Sequence, residues 1–535
     1  MINVGRVRKG FFFVAIGFAL MIGTPAIVGA PVDDVAVIQG NIKQSGTEQI
    51  STEQTSSEQA NQKTQAKLEK IVNELHRRWD IEQVPTAGLS IVVDDQVISL
   101  RLGKAEKGLF ELASTTKAFT GLLIALLEQE GVLNLYDEIT NWLPELAEYP
   151  QMGYPSVQIQ DLLFHNSGIA ESTIDLLRPN MKPDALSQLP ALLKNVPLAY
   201  SVGTREEYAT LNYSLLGLIA ERATGKPFPV LLREKVFLPL GMMSTKVEES
   251  IPAKNTEELP IPGYKISFTT AQPYDAPRYL QNTPAGYILS TPQDMAIWLQ
   301  FLLHRLPSNE VLLNESILNE SILKKDNNHS FSALYAAREQ AKHPYAGDGN
   351  EGYAYGWDVV TDQTTYWSHP GQNPNAAAYV AFDPQEGVGI ALLGNSNSPQ
   401  VIELGQAIFE YLRGASPQIL PEHFSVDIND RISTAVAAIF WLGGALFLLA
   451  TIYKRGKKNI GKFFFIAFIA LNTLLISGLA IAPSLLLGWS WSNLLVWGPL
   501  SLPVAAVGLI FLANIINLFF FNLFFFYSVK PSGKY

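Results

Sequence analysis

Between Phe463 and Val529 the chain contains no Asp, Glu, Lys or Arg. A stretch of that length without charge cannot serve as a soluble surface, where charged side chains are the rule. The apolar segment before it, Ile432–Tyr453, is long enough at ~1.5 Å per residue to cross a ~30 Å hydrocarbon core. Lys454, Arg455, Lys457, Lys458 and Lys462 follow that segment and mark the connection as cytoplasmic. A second span, about 463–487, returns to the uncharged turn Trp489-Ser490-Trp491. A third, within Leu494–Tyr527, ends near Lys530 and Lys534. Three spans satisfy the charge bias at both ends, and this parity places everything from Pro31 to Arg431 on the outer face.

The other end agrees. Arg6, Arg8 and Lys9 precede the apolar stretch Phe11–Ile22, and Val28-Gly29-Ala30 resembles a signal-peptidase site, so residues 1–30 read as a signal segment or N-terminal anchor. The tract after it is rich in Ser, Thr, Glu and Gln, with too few apolar side chains to offset ordering. We expect a disordered polar linker over 31–66. Globular patterning then runs over 67–413, a juxtamembrane linker over 414–431 and the three helices over 432–528.

Composition narrows the chemistry. Cysteine is absent, which excludes disulfides, thiolate zinc sites and cysteine nucleophiles together. A net charge of −10 argues against nucleic-acid partners. The seven histidines are scattered and form no His-Glu-x-x-His, so neither metal nor cofactor is expected. Gly347–Gly352 matches a dinucleotide-binding spacing, but with no strand before it and acidic residues within it the segment reads as a loop. Asn314–Leu318 repeats at Asn319–Leu323, a surface helix and not a solenoid unit.

Within 67–413, Ala87–Leu102 reads as a hairpin about Asp94-Asp95, and Phe110–Leu133 as a long apolar helix beginning near Ser114. Helical segments follow at 161–164, 211–223 and 292–303. Strands return at 356–360, 376–382 and 388–393, so one sheet is expected to be completed late around a helical insert.

Ser114-Thr115-Thr116-Lys117 carries the chemical signal. Spacing i,i+3 sets the Ser hydroxyl and the Lys amine on one helix face, and a serine alcohol needs such a neighbouring base to become a nucleophile. A helix start also offers N–H groups to a developing oxyanion. The spacing alone is weak, since Ser321-Ile322-Leu323-Lys324 repeats it in the polar repeat.

Context supplies the rest. Phe110–Thr120 resembles the nucleophile motif of the penicillin-binding serine hydrolases, the β-lactamase-like family of class C and D-Ala-D-Ala carboxypeptidase B type. Tyr208-Ala209-Thr210-Leu211-Asn212-Tyr213-Ser214-Leu215-Leu216-Gly217 is similar to that family's second motif. Ser368-His369-Pro370-Gly371 is similar to its third. The resemblance implies an α/β, β-lactamase/transpeptidase-like fold: an antiparallel sheet flanked by helices plus a helical subdomain, here followed by an all-α membrane region. It implies Ser114 as the acylated nucleophile, with Lys117 and Tyr208 sharing the proton traffic; which of the two is the base stays open. The amides of Ser114 and Gln372 would form the oxyanion hole, with Thr210, His369 and Gly371 beside the substrate. Thr210 stands where the family usually has Asn. The implied substrate is an amide, ester or β-lactam next to a D-residue; the lipid bilayer as a partner follows from the apolar segments, which lie outside the resemblance. Colibactin-type prodrug-activating membrane peptidases resemble the chain in layout, which raises removal of an N-acyl-D-Asn cap and an exporter or other membrane partner. A non-catalytic sensor is the reading of another class, and it sits poorly with all three catalytic residues being present.

Overall fold

A computed structural model describes residues 53–248, 259–304, 327–342, 351–453 and 490–527, with isolated positions between 474 and 481. The signal segment, the polar tract up to 52, the repeat at 314–323 and nearly all of the expected second span lie outside the described residues.

The strands are β1 (Thr86–Val93), β2 (Gln96–Gly103), β3 (Phe110–Glu111), β4 (Lys246–Val247), β5 (Tyr264–Ser267), β6 (Thr270–Pro273), β7 (Ile288–Ser290), β8 (Glu351–Ala354), β9 (Trp357–Thr361), β10 (Thr365–Asn373), β11 (Ala376–Asp383) and β12 (Val388–Gly394). The longer helices are α1 (Glu53–Arg78), α2 (Thr116–Gln129), α3 (Thr210–Thr224), α4 (Pro292–Leu302), α5 (Asn327–Gln340), α6 (Pro399–Arg413), α7 (Ile428–Tyr453), α8 (Trp491–Trp497) and α9 (Ser501–Tyr527).

One antiparallel sheet runs β2-β1-β12-β11-β10-β9-β8. The N-terminal hairpin therefore pairs with the last strand, Ile91 opposite Ile390, as the sequence pattern suggests. Both faces are covered, which is why β11 and β12 read as continuous apolar runs rather than alternating ones. Ala378, Val380, Phe382, Ala391 and Leu393 enter one core with α2, α3 and α4. Ala377, Tyr379, Ala381, Ile390 and Leu392 enter another beneath α1 and α6. A small sheet β3-β7-β4 and the isolated hairpin β5-β6 complete the strands.

Three boundaries differ from the sequence reading. The first helix begins at Glu53, inside the tract read as linker, because Leu68, Ile71 and Leu75 on its later turns are buried and extend it backwards. Phe110–Glu111 is a strand and not the start of the long helix; β7 supplies a ladder partner there that no local pattern reveals. The juxtamembrane stretch is packed, with Ile419 and Leu420 buried, and α7 starts at Ile428.

α7 and the segment Ser501–Phe519 of α9 are long and apolar enough to cross a membrane, with mean hydropathies of 2.3 and 2.2. They pack together, Trp441 stacking on Phe511, and are fastened to the hairpin β5-β6. The two-residue turn of β5-β6, Phe268-Thr269, holds both residues at positive φ (54° and 70°). Outside glycine that conformation costs roughly 1–2 kcal/mol per residue. The fully buried Asp430 carboxylate of α7 compensates, accepting from the amides of Phe268 (2.8 Å) and Thr269 (2.6 Å) and from Ser501 Oγ (2.6 Å). Trp491, the last residue of the expected turn, opens α8, which docks on the sheet-containing part of the chain. Asn493 donates to Asp175 Oδ1 at 2.6 Å. Buried Lys265 of β5 donates to the carbonyls of Leu495 (3.0 Å) and Val496 (2.6 Å). Burial pushes the Lys265 amine down to about 8.

Candidate active site

Ser114 lies in a single 3₁₀ turn, Ala113–Thr115, between β3 and α2. Ala113 carries φ +48°, so the chain makes a sharp strand-to-helix bend that leaves Ser114 partly accessible while its neighbours are buried. One turn later Lys117 is fully buried. Its Nζ donates to Ser114 Oγ at 3.1 Å and to the Ala285 carbonyl at 2.9 Å, and lies 5.0 Å from the centre of the Tyr208 ring and 6.0 Å from that of Tyr213. Burial drives the Lys117 pKa well below the usual lysine value, because removing an ammonium from water penalises the charged form.

Tyr208 stands just before α3 and is held by aromatic neighbours. Its ring centroid is 4.6 Å from that of His165 and 5.9 Å from that of His369. His165 itself anchors the start of α3. Its Nδ1 accepts from the Ala209 amide at 3.3 Å and lies 2.9 Å from Asn212 Nδ2. Asn212 Oδ1 accepts in turn from Ser167. These bonds give His165 a structural role, the seating of Tyr208. Thr210 opens α3 and is 8% exposed.

The third motif lies on β10, whose pairing with β9 spans only Thr365–Ser368. Beyond it the strand closes against the Ser114 turn. A Cβ at Gly371 would come 2.7 Å from the Leu112 carbonyl and 3.1 Å from the Ser114 amide nitrogen, so this approach requires glycine. Gln372 follows at the exposed face, its side chain donating to the Asn397 carbonyl at 2.9 Å. The backbones of Ser114 and Gln372 thus sit on the two chain segments that meet at Gly371. His369 is buried, its Nε2 3.1 Å from the Tyr353 hydroxyl, and it flanks Tyr208. Gly371→Ala is expected to push the strand from the turn and lower turnover ~10²–10³-fold, the loss typical of one misplaced oxyanion donor. Steady-state kinetics on the folded variant checks this; unchanged kcat would contradict it.

Tyr353 and the Ala285 carbonyl reach the site from distant segments, and the Leu112 carbonyl from two residues before Ser114. As backbone groups, the two carbonyls have no residue-type signature.

An antiparallel sheet covered by helices, with a buried lysine bonded to a serine hydroxyl at a strand-to-helix bend, defines a serine hydrolase of β-lactamase-like, penicillin-binding-protein-like architecture. The chain belongs to the beta-lactamase family, whose profile matches residues 71–413. Protein flp of Staphylococcus aureus strain N315 is 24% identical over 473 residues, covering 83% of this chain and 88% of that protein. The N-acetylmuramyl-L-alanine amidase of Bacillus subtilis strain 168 is 25% identical over 328 residues, 55% of this chain and 69% of its own. A class C beta-lactamase superposes on 66% of this chain and 97% of its own with a TM-score of 0.52 at 18% identity, which establishes the fold alone. Among the described residues no cluster of His, Asp and Glu is arranged to hold a metal.

Proposed function

We propose that this chain is a membrane-anchored extracytoplasmic serine hydrolase, acting through an acyl-enzyme on amide or ester bonds next to D-amino acids. The observation that carries the reading is the buried Lys117 amine 3.1 Å from Ser114 Oγ, at the turn against which Gly371 closes. In the first step Ser114 Oγ attacks the carbonyl carbon and its proton passes to neutral Lys117 or to a Tyr208 phenolate. The amides of Ser114 and Gln372 receive the developing oxyanion. The carbon–nitrogen or carbon–oxygen bond breaks and the leaving group takes the proton. Water then repeats the sequence on the ester and frees Ser114.

Cell-wall D,D-peptides fit the extracytoplasmic placement inferred from the charge bias. A second reading, removal of an N-acyl-D-Asn cap, is favoured by Thr210 in the position that usually presents Asn, and by the docking of α8 directly on the hydrolase unit. The test is intact mass of the full chain in detergent after exposure to fluorescent penicillin, an N-acyl-D-Asn amide and a D-alanyl ester. A penicillin adduct supports D,D-peptide chemistry; turnover of the capped D-Asn amide alone supports the second reading. A folded chain that takes no adduct and turns over none of the three refutes the proposal in favour of a binding or sensor role.

A further inference from the structure

Asn373 and Glu111 join three parts of the site through one buried polar hub. Asn373 lies two residues past Gly371 on β10 and is 4% exposed. Its Nδ2 donates to the Gly286 carbonyl at 2.9 Å and to Glu111 Oε1. Gly286 directly follows Ala285, whose carbonyl holds Lys117. Glu111 lies three residues before Ser114 on β3 and is 6% exposed; its second oxygen accepts from Arg278 Nη1. Arg278 Nε also reaches Glu248 at 3.3 Å. Burial alone would lower the Arg278 pKa, but Glu111 and Glu248 together raise it, so the guanidinium stays charged. Charge-assisted bonds of this kind are short, directional and roughly twice as strong as neutral ones. They link the nucleophile turn, the peptide that seats Lys117 and the strand that carries Gly371.

We propose that Glu111 is a positioning residue of the hydrolase: through Asn373 it fixes the spacing between the Gly371 strand and the Ser114 turn, and through Gly286 it fixes the seat of Lys117. This rests on Ser114 being the nucleophile. Glu111 acts without touching substrate, and displacements of about 1 Å in such constellations cost on the order of 10²-fold in rate.

The test uses the full chain and a small fluorophosphonate, which requires no D-residue. Ser114 Oγ attacks phosphorus, the P–F bond breaks, fluoride leaves and the serine proton goes to the base. Glu111→Ala is expected to lower the limiting phosphonylation rate at least ~10-fold with little change in the half-saturating concentration. Glu111→Gln keeps an acceptor for Asn373 Nδ2 and should stay within about threefold of wild type, since the spacing is retained. Asn373→Ser, which leaves the Glu111–Arg278 ion pair intact, should match Glu111→Ala, and it decides the matter if Glu111→Ala fails to fold. Wild-type rates in Glu111→Ala and Asn373→Ser, or equal losses in Glu111→Ala and Glu111→Gln, overturn the inference. A wild-type chain that fails to react at Ser114 overturns the nucleophile assignment, and the positioning role with it.

Discussion

Exchanging Ser114 for Ala is expected to reduce turnover by on the order of 10⁴–10⁶-fold, the range found when one member of a serine enzyme's catalytic group is deleted. The fold should survive. Ser114 is only partly buried, and Lys117 keeps its bond to the Ala285 carbonyl when the hydroxyl is removed. The loss is one net hydrogen bond, about 1 kcal/mol. Kinetics, intact mass after probe exposure and an unfolding curve on the same preparation separate the two effects. An active or still labelled Ser114→Ala protein would sink the mechanism, whereas an unfolded one would assign Ser114 a structural role.

Lys117→Met is expected to lower turnover by ~10²–10⁴-fold, the contribution typical of a positioned general base, and to change the pH dependence of stability. Burial lowers the Lys117 pKa in the folded chain, while the unfolded chain keeps a value near 10.4. Between those two values the unfolded state holds more protons than the folded one, so wild-type stability rises with pH through that window. Met cannot titrate. The wild type should therefore gain stability over the variant as pH rises towards about 10.4 and hold a constant difference above it. Activity has the same origin: it should fall as acid protonates Lys117, because an ammonium cannot accept the serine proton. Paired denaturation series across pH measure the first effect, and a pH–rate profile the second. Parallel stability curves for the two proteins would show that Lys117 is charged in the fold and not the base.

Much of the candidate site is legible in the sequence. Ser114 and Lys117 are three residues apart, so their contact is a local property of a helical turn and follows from spacing alone. The hairpin about Asp94-Asp95 is likewise turn chemistry, and β11 and β12 show as short continuous apolar runs late in the chain. The first and third apolar segments were visible because long uncharged runs have few soluble alternatives. What spacing could not convey was the exact form of the bend. Ser114 sits in a 3₁₀ turn and not on an α-helix because β7 pairs with Phe110-Glu111.

Residue order alone thus determined the chemistry available: a hydroxyl beside an amine, two further motifs to approach them, no thiols, and apolar segments suited to a bilayer. The tertiary structure decided how that chemistry is held. Lys117 is bonded to Ala285, Asn373 to Glu111, Asp430 to the turn at Phe268-Thr269 and Lys265 to the carbonyls of α8. All four pairs are more than a hundred residues apart, and in three of them one side is a backbone group identical in every residue. A peptide carbonyl has no signature in a sequence. It becomes a specific ligand only when burial leaves a buried donor no other partner, and that condition exists only once the sheet has closed.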